Sequence, residues 1–306
     1  MVSRREIPYR QTSTAMRWML VVASLLVFLA GAPLLLVGDQ TAKYFAWTIS
    51  PQITAAFLGG SYWASGIFEL LSSRERIWGR ARLAVPAVLV FTILTLIVTL
   101  VHINRFHFDF AFTDADARTT DPLTRFGTWM WLAIYAGVPL AMGIILVRQA
   151  RMPGDDPPAV ARLGWWVRAI IITQASLLIV VGLGLLLAPT AVAPQWPWKL
   201  TALTARAVGA WLIGLSLTGV QALYENDRTR LGPAGVVAFT WGIAQLAIVA
   251  LFANSIDWTR PSTGPYVAFL VSVLLIGAAA IYAHVRARAE LVSAAGGPSA
   301  GQPPSG

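Results

Sequence analysis

Eight apolar stretches, each about twenty residues long, govern what this chain can fold into. They cover 18–38, 52–72, 83–103, 127–147, 168–188, 200–222, 234–253 and 265–285. Crossing the hydrocarbon of a bilayer takes roughly 20 residues of helix. Inside lipid each backbone N–H and C=O must find its partner within the segment. The expected fold is therefore all-α, a polytopic membrane helix bundle of eight transmembrane helices. Composition agrees, since 57% of the residues are hydrophobic and 12% charged, against about 25% charged in an ordinary soluble domain. A soluble core of this size could not bury so much apolar surface.

Polar segments punctuate the spans, for example Ser73-Arg-Glu-Arg-Ile-Trp-Gly-Arg80 and Met152-Pro-Gly-Asp-Asp-Pro-Pro158. The expected organisation is a cytoplasmic N-terminal segment (1–17), a first four-span half (18–150), a cytoplasmic connection (151–167), a second four-span half (168–288) and a Gly/Ser/Pro-rich disordered tail (289–306). Orientation follows from charge. Of the 23 Arg and Lys, sixteen lie in the N-terminal segment, the even-numbered connections and the C-terminus, and six in the odd-numbered connections. Basic residues stay on the cytoplasmic side, so both termini are expected there. The formal charge of +9 is then a topology signal, and the partner it implies is the lipid bilayer, with no nucleic acid. The bias of 21 Arg over 2 Lys, with abundant Ala and Gly, reads as a bacterial inner-membrane protein. Ala30-Gly-Ala32 resembles a signal-peptidase site, but the apolar run continues to Val37, too long for a signal peptide. Trp47, Trp129, Trp131, Trp196, Trp198 and Trp258 at outer span ends, and Trp18, Trp78, Trp165 and Trp166 at inner ends, are expected to anchor at the two interfaces.

The halves resemble each other. Shifting by 150 residues lays 51–108 on 201–258 without a gap and gives nine identities, among them Gly59/Gly209, Glu75/Glu225, Arg80/Arg230 and Asn104/Asn254. Thr124-Arg125-x-x-Thr128 recurs as Thr259-Arg260-x-x-Thr263, leaving residues 110–122 as an insertion in the first half. Two parallel four-helix repeats are expected, related by an axis along the membrane normal. Ala55-x-x-x-Gly59, Ala56-x-x-x-Gly60, Ala205-x-x-x-Gly209 and Ala210-x-x-x-Gly214 put small residues on single faces of spans two and six, which suits close helix packing or the wall of a ligand cavity.

Few residues could carry chemistry. Arg206 lies inside span six; it either reaches the outer surface or pairs structurally, or it contacts an anion or substrate. Thr92, Thr95, Thr99 and His102 share one face of span three, and Thr95 aligns with Gln245 in span seven. Threonine hydroxyls often bond their own backbone; the alternative is a polar cavity lining. Arg206, Thr95, Thr99, His102, Asn104 and Gln245 form the candidate ligand site, opening outward beneath the inserted loop. Glu69 is an intramembrane acid, expected to pair with Arg74 and Arg76 or to carry a proton. His102, His107 and Asp109, near Asp114-Ala-Asp116, form the candidate divalent-cation set.

Absences narrow the field further. The chain has no cysteine, which removes disulfides, thiol catalysis and cysteine-held metals. None of its three histidines sits in mid-span, as a transmembrane haem would need, and neither His-Glu-x-x-His nor a nucleotide-binding Gly-x-x-x-x-Gly-Lys occurs. No cofactor is implied. Three classes stay open: a carrier or binding protein for a small or lipophilic molecule, an accessory subunit beside a membrane protein partner, and a membrane enzyme acting at the outer face.

Overall fold

The computed structural model describes residues 9–295. Among these the chain is all-α, with no strand beyond isolated bridges. Eight long helices follow one another: α1 Thr14–Leu36, α2 Gln52–Arg74, α3 Val85–Val101, α4 Pro122–Ala150, α5 Trp165–Leu187, α6 Ala202–Glu225, α7 Gly232–Leu251 and α8 Thr263–Ala295. Each overlaps one expected span. Side-chain caps fix several starts: Ser13 accepts from Met16 N, Asp121 from Thr124 N with Pro122 next to it, and Thr201 and Thr204 form a reciprocal capping box. Asn226 ends α6 in the left-handed region, at φ 46°.

Six of the eight, α1 and α4 to α8, are long and apolar enough to cross a membrane. With Leu29, Leu36, Leu140, Val180 and Leu251 exposed on their surfaces, they make this a multi-pass membrane protein. The eight-span expectation meets two exceptions with clear causes. Helix α3 is apolar but has 17 residues. Helix α2 carries Gln52, Ser61, Ser65 and Glu69, because it lies inside the bundle rather than against lipid: 16 of its 23 residues are buried, against three of 23 in α5.

Packing pairs α1 with α2, α3 with α4, α5 with α6 and α7 with α8, while α2 meets α7 and α3 meets α6 between the halves. Several contacts recur 150 or 151 residues on. A Cβ on Gly31 would sit 3.1 Å from the Gly59 carbonyl, and one on Gly182 3.0 Å from the Gly209 carbonyl. Phe91 stacks on Trp211 with centroids 4.0 Å apart, and Trp241 donates to Ser61 Oγ at 2.9 Å. One-turn 3-10 helices, Ile103–Arg105 and Ala253–Ser255, follow α3 and α7. One contact has no counterpart: α1 packs on α4, whereas α5 and α8 stand apart across a groove.

Two further sequence expectations need correction. Trp47, Trp131, Trp196, Trp198 and Trp78 are buried, not interfacial; the first four build aromatic clusters with Phe45, Phe106 and Phe57. Trp18, Trp129, Trp165, Trp166 and Trp258 are the exposed ones. Helix α8 continues to Ala295, into the stretch expected as tail, aided by the Arg286–Glu290 pair one turn apart. Residues 1–8 and 296–306 lie outside the described part, so the rest of the tail and Arg4 and Arg5 are not placed.

Candidate functional site

Arg206 sits one turn inside α6, just past the capping box. Its Nη1 donates to His102 Nε2 at 2.7 Å and its Nε donates to the Leu186 carbonyl at 3.1 Å. Leu186 belongs to the last turn of α5, whose carbonyls lack helical partners, and His102 caps α3. The guanidinium therefore ties three helix ends together. Arginine has donors only, so His102 must accept at Nε2, which fixes it as a neutral imidazole in this pair.

The other expected members are employed elsewhere. Thr99 Oγ1 donates to the Thr95 carbonyl at 2.8 Å and accepts from Trp131 Nε1 at 3.1 Å, which joins α3 to α4. Gln245 Nε2 donates to the Phe57 carbonyl at 3.0 Å and to Ser61 Oγ at 3.2 Å, which joins α7 to α2. Asn104 holds Asp114 at 3.0 Å, and Arg105 pairs with Asp114 at 2.8 Å, so both pin the inserted loop. The structure brings Arg206 and His102 together, but Thr99 and Gln245 serve separate helix contacts, Asn104 the inserted loop, and Thr95 takes part only through its carbonyl. None of the principal cavities is lined by any of the six.

The metal set does not assemble. His107 is buried, with Nδ1 on the Phe45 carbonyl at 2.8 Å and Nε2 on Thr48 Oγ1 at 3.0 Å. Burial pushes its pKa down, against the opposing pull of the Phe45 carbonyl. Asp109 faces Arg125 at 3.7 Å, and no group of three or more histidines and acids able to hold a metal occurs among the described residues. Glu69 does not pair with Arg74 or Arg76 either. Its Oε1 accepts from Ser65 Oγ at 2.8 Å, while Oε2 is buried without a partner. The expectation failed because Glu69 is buried in the bundle, whereas Arg74 is the last residue of α2 and Arg76 lies beyond it.

The feature that sequence reading missed is the groove between α5 and α8, floored by α6 and α7. It comprises three cavities that share lining residues. One of about 250 Å³ lies at the end of Trp196 and Tyr266; the middle one is about 110 Å³; one of about 390 Å³ lies at the end of Arg162 and Arg228. Leu178 and Trp241 line both of the first two, and Ile171, Leu231, Ile276 and Ala280 line both of the last two. The floor is made by small residues, among them Gly219, Ala222, Ala234, Gly235 and Ala238. A polar bridge crosses it, Gln174 Nε2 to Ser272 Oγ at 3.0 Å. The sequence signal was there, a run of Gly and Ala in α7 and α8, but small residues serve close packing as readily as they leave space.

No protein-family model, curated protein or solved structure matches the chain.

Proposed function

We propose that this protein binds a lipophilic molecule in the membrane, as a carrier or holding protein, in the groove between α5 and α8. The observation that carries the reading is the groove itself: largely apolar, its cavities sharing wall residues along α5 from Trp166 to Val181, and open between two helices that face lipid. The 23 residues of α5 are about 34 Å long at 1.5 Å per residue, comparable to the hydrocarbon thickness. A helix about 10 Å across is too wide for cavities of this size, and a hydrocarbon chain is not. The reading departs from the polar, outward-opening cavity expected from sequence.

The setting we propose is a bacterial inner membrane crossed eight times, with both termini cytoplasmic. The recurring glycine crossings and the equivalent α2–α7 and α3–α6 contacts favour two parallel four-helix copies. The even-numbered connections hold most of the arginines, which favours the orientation. Reporter fusions after Asp121 and after Gln195 are expected to be periplasmic, and fusions after Arg80, Asp156 and Arg288 cytoplasmic. A periplasmic Arg288 fusion would end the even span count.

The groove is tested by filling it. In mild detergent the wild-type protein is expected to carry a lipophile visible by native mass spectrometry. Ala234→Phe, in the middle of the groove, should cut retention by roughly tenfold, the equivalent of about 1.4 kcal/mol, with the protein still monodisperse. Wild-type protein free of any lipophile would refute the reading. A stoichiometric partner polypeptide in its place would favour an accessory subunit.

A further inference from the structure

The basic end of the groove is unlike the rest of it. Arg162 and Arg228 line one cavity together with Gly164 and Trp166. Both arginines are held by a strapped pair of turns rather than by loose chain. Arg228 N donates to the Ala161 carbonyl at 2.8 Å, Asn226 Oδ1 accepts from Leu163 N at 3.3 Å, and the Asp227 carboxylate accepts from Val160 N at 3.1 Å and Ala161 N at 3.4 Å. This rigidity leaves the two guanidinium groups without counter-charges. Neither forms an ion pair with any described acid, and Arg228 Nε is buried with no hydrogen-bond partner at all.

The carboxylate next to Arg228 in the chain, Asp227, is engaged elsewhere. Burial opposes the ionisation of Asp227, but the hydrogen bonds from Thr229, Val160 and Ala161 prevail and hold it below the usual carboxylate range. Its oxygens are taken by those groups and by Arg230 Nε at 3.6 Å. The first turn of α5 adds to the same field. Gly164 caps it without a side-chain partner, so its N–H groups and the positive end of the helix face the same cavity. A buried guanidinium N–H without an acceptor, as at Arg228 Nε, is costly, and the cheapest remedy is an anion brought by the occupant.

We infer that this end binds the phosphate of an anionic phospholipid from the surrounding bilayer, with one acyl chain lying in the groove toward Trp196 and Tyr266. The inference rests on the groove being a lipid site. Two arginines and a helix N-terminus suit phosphate, which accepts bidentate hydrogen bonds. The apolar groove begins at Ile171 and Leu231, directly beyond the arginines, so head and chain are accommodated in the order a lipid presents them. A zwitterionic lipid would bring an ammonium toward two arginines and lose the advantage. Trp166, amphipathic and half exposed at the mouth, suits the level of the headgroups.

The test uses the full chain, delipidated by detergent exchange and offered an equimolar mixture of dioleoyl phosphatidylglycerol and dioleoyl phosphatidylcholine. Bound lipid is counted by native mass spectrometry. Wild type should prefer phosphatidylglycerol by roughly 10- to 30-fold, since each arginine near a membrane surface contributes about 1 kcal/mol toward an anionic lipid. Arg162→Gln with Arg228→Gln should bind both lipids equally, Arg162→Gln alone should lose part of the preference, and Arg162→Lys with Arg228→Lys should keep part of it. The exposed Arg162 keeps the test open if changes at Arg228 unfold the chain. Equal binding of the two lipids by wild type, or a preference unchanged in both Gln variants, overturns the headgroup site and leaves the groove standing. Binding of neither lipid by wild type overturns the groove as well.

Discussion

Replacing Glu225 by Gln is expected to destabilise the protein by about 3–5 kcal/mol, the usual cost of stranding charges in a broken buried ion pair. Glu225 ends α6 with its side chain fully buried, and it serves both halves of the molecule. Arg82, just before α3, reaches its Oε1 at 2.5 Å and its Oε2 at 3.1 Å. Arg230 binds the same carboxylate and the Pro157 carbonyl, and Arg82 extends to Asp156 at 2.5 Å. Gln221 completes the shell at 2.8 Å. Glutamine keeps the shape and removes the charge, which leaves two arginines facing one another with Arg230 only 5% exposed. The measurement is the thermal midpoint in detergent, together with the yield of monodisperse protein. Glu290→Gln is the control, because the Arg286–Glu290 pair is 66% and 60% exposed and such pairs contribute little. Equal midpoints for the two variants would mean that the network is not what joins the halves at this end.

Gly209→Val should be nearly as damaging, by a steric route. A Cβ at 209 would stand 2.6 Å from the Gly182 carbonyl and 3.0 Å from Leu186 N. Both are backbone atoms of α5, so no rotamer can relieve the contact and the helices must separate. Overpacking of this kind costs about 3 kcal/mol at the upper end of its usual range. It should also detach Arg206 from the Leu186 carbonyl, since that bond spans the same pair of helices. The paired variant Gly182→Val meets the Gly209 carbonyl at 3.0 Å and should fail in the same way. Gly143→Ala in α4, with nothing within 4 Å, should be neutral or better, because alanine favours a helix over glycine by about 1 kcal/mol. If Gly209→Val matches wild type in thermal midpoint and yield, the close α5–α6 crossing is wrong.

Helix positions were legible because hydropathy reports where lipid lies. The stretch expected at 52–72 became Gln52–Arg74, and that at 168–188 became Trp165–Leu187. The same signal understated α8, since a helix does not stop where the hydrocarbon does. It also misjudged the tryptophans, because an indole near a span end packs inward or anchors outward according to the rotation of its helix. The site was legible only as a set of polar residues. Arg206 and His102 lie 104 positions apart, and their meeting depends on how α6 crosses α3. Gln245 was visible as a mid-membrane amide, yet its partners on α2 come from a crossing angle, not from a motif. The groove was least legible of all, because it arises from a contact that α1 and α4 make and that α5 and α8 leave open.

The bond of Gln245 to α2 also sets an order of events during synthesis. Helix α2 can enter the membrane early without a stranded group, because Ser61 Oγ donates to the Phe57 carbonyl at 2.8 Å within its own helix. Helix α7 is the dependent one: the Trp241 indole and the Gln245 amide find Ser61 Oγ and the Phe57 carbonyl only on α2. Lipid offers them no partner, so α7 settles against a helix made long before it, and a chain whose α2 is misplaced leaves that amide exposed to lipid and the protein fit for proteolytic disposal.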